Sequence, residues 1–255
     1  MSRAARVAAP TVATFVAPEP LAAGSGAQVT LGEESAHHMR VRRLEAGAAV
    51  ALRDGAGRSA DGRLVRLAKG HALVELGEVL EHAPPPPVHL LLPVADRERV
   101  LWLAEKAVEL GIASWRPVLF RRSRSVASRG EGAGFQQKVR ARMLSALAQS
   151  EAAWLPDLHP DAPLDRAIAA APGGARLVCD PDGAPLLDGV PGAGDAVAIV
   201  VGPEGGLEPD ELDALRAAGF RPAALPGNIL RFETAAVVAA AFARALHERA
   251  RAVAG

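Results

Sequence analysis

The residues of this chain best placed to do chemistry lie in two glycine-containing stretches, 197–207 (VAIVVGPEGGL) and 225–236 (LPGNILRFETAA). In the first, Val197, Ala198, Ile199, Val200 and Val201 form the continuous apolar run of a strand buried on both faces. Gly202, Pro203, Gly205 and Gly206 follow, a turn with almost no side chain, so that a ligand can approach the backbone closely. Glu208, Pro209, Asp210 and Glu211 open a helix, with Pro209 suited to its first turn and the acids to its dipole. Leu212 and Leu215 give the helix its apolar spacing and Gly219 ends it. Strand, glycine loop and helix together make a ligand cradle; a tight turn without a ligand is the alternative.

What the loop lacks narrows the ligand. Gly202, Gly205 and Gly206 do not have the G-x-G-x-x-G spacing of a dinucleotide site. A phosphate loop needs Lys and then Ser or Thr after its last glycine, where this chain has Leu207 and Glu208, and Glu204 would repel a phosphate. A ligand that is neutral or cationic beside the loop, and is recognised by backbone groups, fits better. S-adenosylmethionine, with its sulfonium charge, meets that description.

Two arginine clusters bear on the partner. One is Arg40, Arg42 and Arg43; the other is Arg121, Arg122, Ser123, Arg124 and Ser125, continuing to Arg129. The guanidinium fork suits phosphate oxygens, and serine hydroxyls add donors. The whole chain is neutral, with 29 Lys+Arg against 29 Asp+Glu, so only the clustering speaks for a nucleic acid. Solvated loops are the alternative. Aromatic residues make up 4% and Tyr is absent, so stacking platforms are scarce and a structured RNA is a better match than bare single strands.

Other chemistries find no residues. G-x-S-x-G and H-E-x-x-H do not occur. The adjacent His37 and His38 point apart on a helix, which suits a core or capping role for one of them rather than a metal pair. Asp180 and Asp182 read as turn formers. With a single cysteine, Cys179, neither an internal disulfide nor a cysteine zinc site can form, which fits a reducing cytosol; no metal is expected. The apolar runs are too short to span a membrane.

The elements that must hold these residues fall into two patterns. Residues 14–82 read as short strands with glycine turns (28–31, 49–52, 62–67 and 71–76), a small β-barrel or sandwich, interrupted by a helix at 33–44. Pro84, Pro85, Pro86 and Pro87 form a stiff linker. Beyond it strands (88–93, 115–120, 176–179, 196–201, 223–225) alternate with helices (96–110, 136–149, 209–218, 233–249), which predicts a mostly parallel α/β sheet. Leu101, Ala104 and Val108 are expected on the buried face of the first of these helices. The expected division is a disordered tail over 1–13, a β-barrel domain over 14–83, the linker over 84–87 and an α/β domain over 88–255. The basic start, 1–18, lacks the apolar core of a secretion signal and reads as a tail.

With these motifs in place, the chain resembles the RsmE-type 16S rRNA (uracil-N3)-methyltransferases of the SPOUT superfamily. The resemblance is carried by His37-His38 with Val41-Arg42-Arg43 and Gly47, by Lys106 to Gly111 (KAVELG), by Arg122–Ser125, and by Gln149-Ser150 before Pro156. It is most specific at Val201 to Gly206 with Glu211, followed by Leu225, Ile229-Leu230-Arg231 and Glu233-Thr234-Ala235. It implies a PUA-like N-terminal barrel that helps hold RNA, joined to a C-terminal α/β domain tied in a trefoil knot. It also implies a homodimer, cytoplasmic and free of metal, that uses S-adenosylmethionine to methylate N3 of a uridine in 16S rRNA or the small ribosomal subunit. By resemblance the cofactor lies among three loops: Cys179 to Asp182; Gly202, Pro203, Glu204, Gly205 and Gly206; and Leu225, Pro226, Gly227, Ile229, Leu230 and Arg231. The arginines at 40, 42, 43, 121, 122 and 124, with Ser123, are the expected RNA contacts.

For the reaction, Arg231 is the expected cation beside the uracil, and Glu233 or Glu204 the proton acceptor, Glu233 the first choice; a structural Arg231–Glu233 ion pair is the alternative. The chain departs from the family pattern at Asn228 and Phe232, where Arg and Thr are usual, and at Ala148, Ala152 and Ala153 around Gln149-Ser150. Those departures leave open a non-catalytic RNA-binding or ribosome-assembly protein that keeps the fold.

Overall fold

The computed structural model describes residues 13–21, 26–123, 133–188 and 195–254. The expected tail, apart from Ala13, lies outside the described residues, as do Arg124, Ser125 and Arg129 of the second arginine cluster. The chain forms two compact units: Met1–Ala83 with Leu147–Trp154, and Pro84–Ala146 with Leu155–Gly255.

The first unit contains β1 (Ala13–Val16), β2 (Gln28–Leu31), α1 (Glu33–Val41), β3 (Ala49–Arg53), β4 (Arg58–Leu67) and β5 (Ala72–Glu81). The strands form one sheet in the order β1-β3-β4-β5-β2. All its pairings are antiparallel except β1 with β3. Phe15, Leu31, Leu52, Leu64 and Val74 share its core with Met39 of α1. Helix α1 ends at Val41, short of the expected 44, because Arg43 turns left-handed at φ 55 and the Leu44 amide closes back on the Met39 carbonyl at 2.9 Å. Its buried residues are Ala36 and Met39, so His37 and His38 both face solvent, which corrects the expected core role and leaves His38 in the helix's last turn. The β4–β5 turn closes by the Ala68 amide donating to the His71 carbonyl.

The residues 147–154 belong to this unit through Trp154, which forms an isolated bridge with Ala56 and donates from Nε1 to the His82 carbonyl at 3.1 Å. Gly57, at φ 95, lies under the indole, and a Cβ there would stand 2.2 Å from Trp154 Cζ2. The expected single division at the prolines is therefore only part of the pattern.

The second unit runs β6 (Val88–Pro93), α2 (Arg97–Glu109), β7 (Ser114–Leu119), α3 (Ala133–Ser150) as far as Ala146, β8 (Asp157–Leu158), β9 (Ala162–Pro163), α4 (Leu164–Ala169), β10 (Ala175–Pro185), a 3-10 turn (Leu186–Asp188), β11 (Val197–Val200), α5 (Pro209–Ala217), β12 (Arg221–Ala224) and α6 (Phe232–Ala254). Its sheet has the order β12-β10-β11-β6-β7-β8, with β9 also on β7, and every pairing is parallel. All four residues of β11 are buried, as its unbroken apolar run requires at the centre of a sheet. The strand at 176–179 is longer than expected, because β10 bulges between Cys179 and Ala184 and both pair with Ala223.

Helix α2 buries Leu103, Ala104, Ala107 and Val108, while Leu101 is half-buried, which moves the expected face by one residue. Its last turn is held by Arg244 of α6, which donates from Nε to the Leu110 carbonyl at 2.8 Å and also to the carbonyls of Gly111 and Pro86. One guanidinium thus ties the proline linker, the end of α2 and α6 together.

Candidate active site

In a parallel sheet the loops leaving the carboxyl ends of the strands converge on one edge, where ligands bind. Here the bulge within β10 and the loops after β11 and β12 enclose a cavity of about 460 Å³. Its walls are Cys179, Asp180 and Pro181 from the bulge, Val201, Gly202, Pro203, Glu204 and Gly206 from the loop after β11, and Leu225, Gly227, Asn228, Ile229 and Leu230 from the loop after β12. Leu207, Leu212, Phe232 and Ala235 complete it. The three loops named from the sequence come together, and the size suits a cofactor-sized ligand.

Local chemistry fixes the central loop. Gly206 takes φ 75 and its amide donates to the Pro203 carbonyl at 2.8 Å, a turn that L side chains rarely adopt. Helix α5 then begins with Pro209 in its first turn, and Glu211 reaches back so that its Oε2 accepts the Glu208 amide at 2.9 Å. The other oxygen of Glu211 accepts the Arg121 amide at 2.8 Å, so this buried carboxylate ties the loop after β7 to the start of α5. In the β10 bulge Asp180 accepts the Asp182 amide at 3.0 Å, the expected turn, and also lines the cavity. Burial pushes the Cys179 thiol up to about 12.

A second cavity of about 660 Å³ adjoins the first. Pro203, Glu204 and Phe232 line both. Its remaining walls are Pro93, Val94, Ala95, Asp96, Glu98, Arg99, Arg122 and Gly205. Arg99, in the first turn of α2, donates to Glu204 Oε1, and its Nη1 lies 3.7 Å from Glu233 Oε2. Asp96 caps the same helix by accepting the Glu98 amide at 2.9 Å.

The remaining candidates are placed as follows. Arg231 and Pro226 are exposed and line neither cavity. The alternative reading, an Arg231–Glu233 ion pair, is not formed; Glu233 instead faces Arg99. Arg121 pairs with Asp210, and Arg122 with Glu208 and the Gly205 carbonyl. The Ser123 hydroxyl accepts the Phe120 amide. Arg40 caps the Ala68 and Lys69 carbonyls at 2.8 and 2.7 Å, while Arg42 and Arg43 are exposed. Among the described residues no cluster could hold a metal ion.

Sequence reasoning missed Arg99, Asp96 and Glu98. Their signal was the charged DRER at residues 96–99, directly after an apolar strand whose carboxyl end had to face the ligand edge.

A glycine-walled cavity at the carboxyl edge of a parallel sheet, beside a polar cavity, in a chain with a separate small β-sheet unit, defines a class of protein. Residues 82–244 match the family model for the RNA methyltransferase domain and residues 31–77 that for the RNA methyltransferase PUA domain. The chain belongs to this RNA methyltransferase family, and within it to the ribosomal RNA small subunit methyltransferase E group. It is 31% identical over 227 residues to the enzyme of that name from Mycobacterium bovis, with 82% of each chain covered. It is 30% identical over 240 residues to the one from Synechocystis sp., covering 91% of this chain and 77% of that protein. The crystal structure of ribosomal RNA small subunit methyltransferase E from Neisseria gonorrhoeae, bound to S-adenosyl methionine, superposes with a TM-score of 0.82 at 27% identity, covering 92% and 98% of the two chains. A methyltransferase from Legionella pneumophila, solved with bound SAM, gives a TM-score of 0.82 at 26% identity, with 92% and 97% covered.

Proposed function

We propose that the chain uses S-adenosylmethionine to methylate N3 of a uridine in 16S rRNA. The observation that carries this is the pair of cavities sharing Pro203, Glu204 and Phe232: one wall separates a cofactor-sized space from a polar space that can admit a base. The residues fit the cofactor. Gly227, at φ 100, has nothing within 4 Å of its Cβ position and so leaves room for a ligand, while Gly202 lets the loop backbone pack closely on Leu207 at the cavity wall. Gly202, Leu225, Gly227 and Leu230 would hold the adenosine side, with Asp180 at the polar end. When bound, S-adenosylmethionine supplies an electrophilic methyl group.

The chain itself supplies orientation and a proton acceptor. Holding two reactants in line is worth roughly 7–11 kcal/mol at best. N3 of uracil carries a proton that must leave, and Glu204 is the carboxylate facing both cavities; Glu233, the first choice from sequence, lines neither. Arg231, exposed next to the cavity residue Leu230, is proposed to meet the nucleotide from the rim and stabilise charge developing on the ring. Arg42 and Arg43 are proposed to contact rRNA phosphates.

A homodimer fits the exposed apolar side chains of the second unit: Ile229 is 94% and Leu187 50% exposed. A cytoplasmic location fits the rRNA substrate; no helix among the described residues is long and apolar enough to cross a membrane. The placement of β11, late in the chain, between β10 and β6 supports the knotted path implied by the resemblance. The non-catalytic alternative finds no support, since the matched family and relatives are enzymes.

The test is calorimetric titration with S-adenosylmethionine, followed by mass spectrometry of rRNA nucleosides from a strain lacking the gene. Cofactor binding with loss of one N3-methyluridine is expected. No binding and unchanged nucleosides would sink the proposal.

A further inference from the structure

Three segments far apart in sequence meet at one guanidinium. Arg99 comes from the first turn of α2, Glu204 from the loop after β11 and Glu233 from the first turn of α6. Arg99 Nη1 donates to Glu204 Oε1 and stands 3.7 Å from Glu233 Oε2, which is buried and accepts no hydrogen bond. The Phe232 ring, 5.9 Å from the guanidinium carbon, closes a further side. Both carboxylates meet the same nitrogen, Arg99 Nη1, and of the two only Glu204 lines the cavities.

We propose that Arg99 is a positioning residue for the methyl-transfer reaction: it fixes the Glu204 carboxylate on the wall shared by the two cavities, ready to take the proton from the substrate's ring nitrogen, while the charge of Glu233, outside the cavity lining, anchors the same guanidinium nitrogen. This rests on the methyltransferase reading above. In the step, the N–H proton moves to a Glu204 oxygen, the electron pair of that bond stays on the ring nitrogen, and Glu204 later returns the proton to water.

The charge arrangement explains why a cation is needed. Two carboxylates sharing one site disfavour each other's ionisation, and a cation between them reverses this. The hydrogen bond to Glu204 raises the Arg99 pKa, with the charge of Glu233 adding to it and burial opposing. The same contact sets a guanidinium against the Glu204 carboxylate, an arrangement that favours the anion, the form that can accept a proton. The other charged groups facing this space are Asp96 and Glu98 at the start of α2, Asp180 on the cofactor side, and Arg122, whose charge is engaged by Glu208.

The sign of the effect follows. Removing the Arg99 charge moves Glu204 ionisation to higher pH, and removing the Glu233 charge moves it to lower pH. The experiment is a carbon-13 NMR titration of glutamate carboxyls in the full chain without RNA, with the Glu204 signal assigned by its absence in E204Q. Arg99→Gln is expected to raise the Glu204 midpoint by about one pH unit, Arg99→Lys to restore most of it, and Glu233→Gln to lower it. An unchanged midpoint in Arg99→Gln overturns the proposal. Should that variant not fold, Glu233→Gln decides alone, and a midpoint that does not fall overturns it.

Single-turnover methyl transfer gives the second readout. In Arg99→Gln the acid limb of the pH–rate profile should move up by the same amount as the NMR midpoint, with the rate recovering at high pH. A uniform loss at every pH marks a structural role and overturns the proposal. Because the titration needs no methyl transfer, a wild-type protein that transfers no methyl group to small-subunit rRNA would sink the functional reading separately.

Discussion

Arg122 grips Glu208 with two hydrogen bonds, Nε to Oε1 at 2.8 Å and Nη2 to Oε2 at 3.1 Å, and its Nη1 donates to the Gly205 carbonyl at 2.7 Å. An arginine from the loop after β7 therefore clamps the C-terminal side of the glycine turn to the residue that opens α5. The aliphatic stem lies on Gly205, where a Cβ would come within 3.3 Å of it.

Arg122→Ala should weaken S-adenosylmethionine binding several-fold by calorimetry while costing about 1 kcal/mol or less of stability, because the ion pair is largely solvated. Arg122→Lys should not restore affinity, since an ammonium cannot make the two-pronged contact and also reach Gly205. Wild-type affinity in the alanine variant would show that the clamp does not shape the cavity.

Gly183 sits in the bulge of β10 against β12, where a Cβ would stand 2.5 Å from the Ala223 nitrogen and the Pro222 carbonyl carbon. Gly183→Ala must push two strands apart, and a loss of about 1–3 kcal/mol is expected in urea unfolding. Gly202→Ala meets only the Leu207 side chain at 3.0 Å, so it should fold nearly as well and instead lose cofactor affinity. Equal stability of the two variants would argue against this distinction.

The Cys179 thiol, pushed up to about 12 by burial, should be poorly reactive in the folded protein. Iodoacetamide at pH 8 is expected to label it slowly, with fast labelling once urea unfolds the chain. The linkage has a definite sign. The folded pKa lies above the unfolded value, so no stability is lost below pH 9, and stability falls as pH rises from about 9 towards 12. Cys179→Ser should flatten that fall; an unchanged alkaline slope would assign it to other groups.

Arg231→Ala should keep S-adenosylmethionine affinity, since the residue lines neither cavity, and lose at least tenfold in methyl transfer. Calorimetry together with a transfer assay on small-subunit rRNA reads both numbers. Equal turnover would remove its assigned role.

Much of this protein can be read along the chain. The buried run of β11 is visible because a central parallel strand must be apolar on both faces, so five consecutive apolar residues announce it. The glycines at 202, 206 and 219 are visible because a close approach or a positive φ excludes a side chain, a constraint settled within a few residues. Local rules also set the proline boundary and the alternation of strand and helix. β8, β9 and α4 were missed because two-residue strands and a six-residue helix are too short to show a period.

Tertiary structure alone decided who meets whom. Arg121 and Arg122 looked like free phosphate ligands, yet their charges are met by Asp210 and Glu208 on α5. Trp154, far beyond the proline linker, packs in the first unit. Arg99, not Arg231, is the partner of Glu233. The reason is common to all three. Periodicity and turn chemistry act over a few residues, whereas a contact between positions more than 70 apart exists only once the folded chain has brought them together.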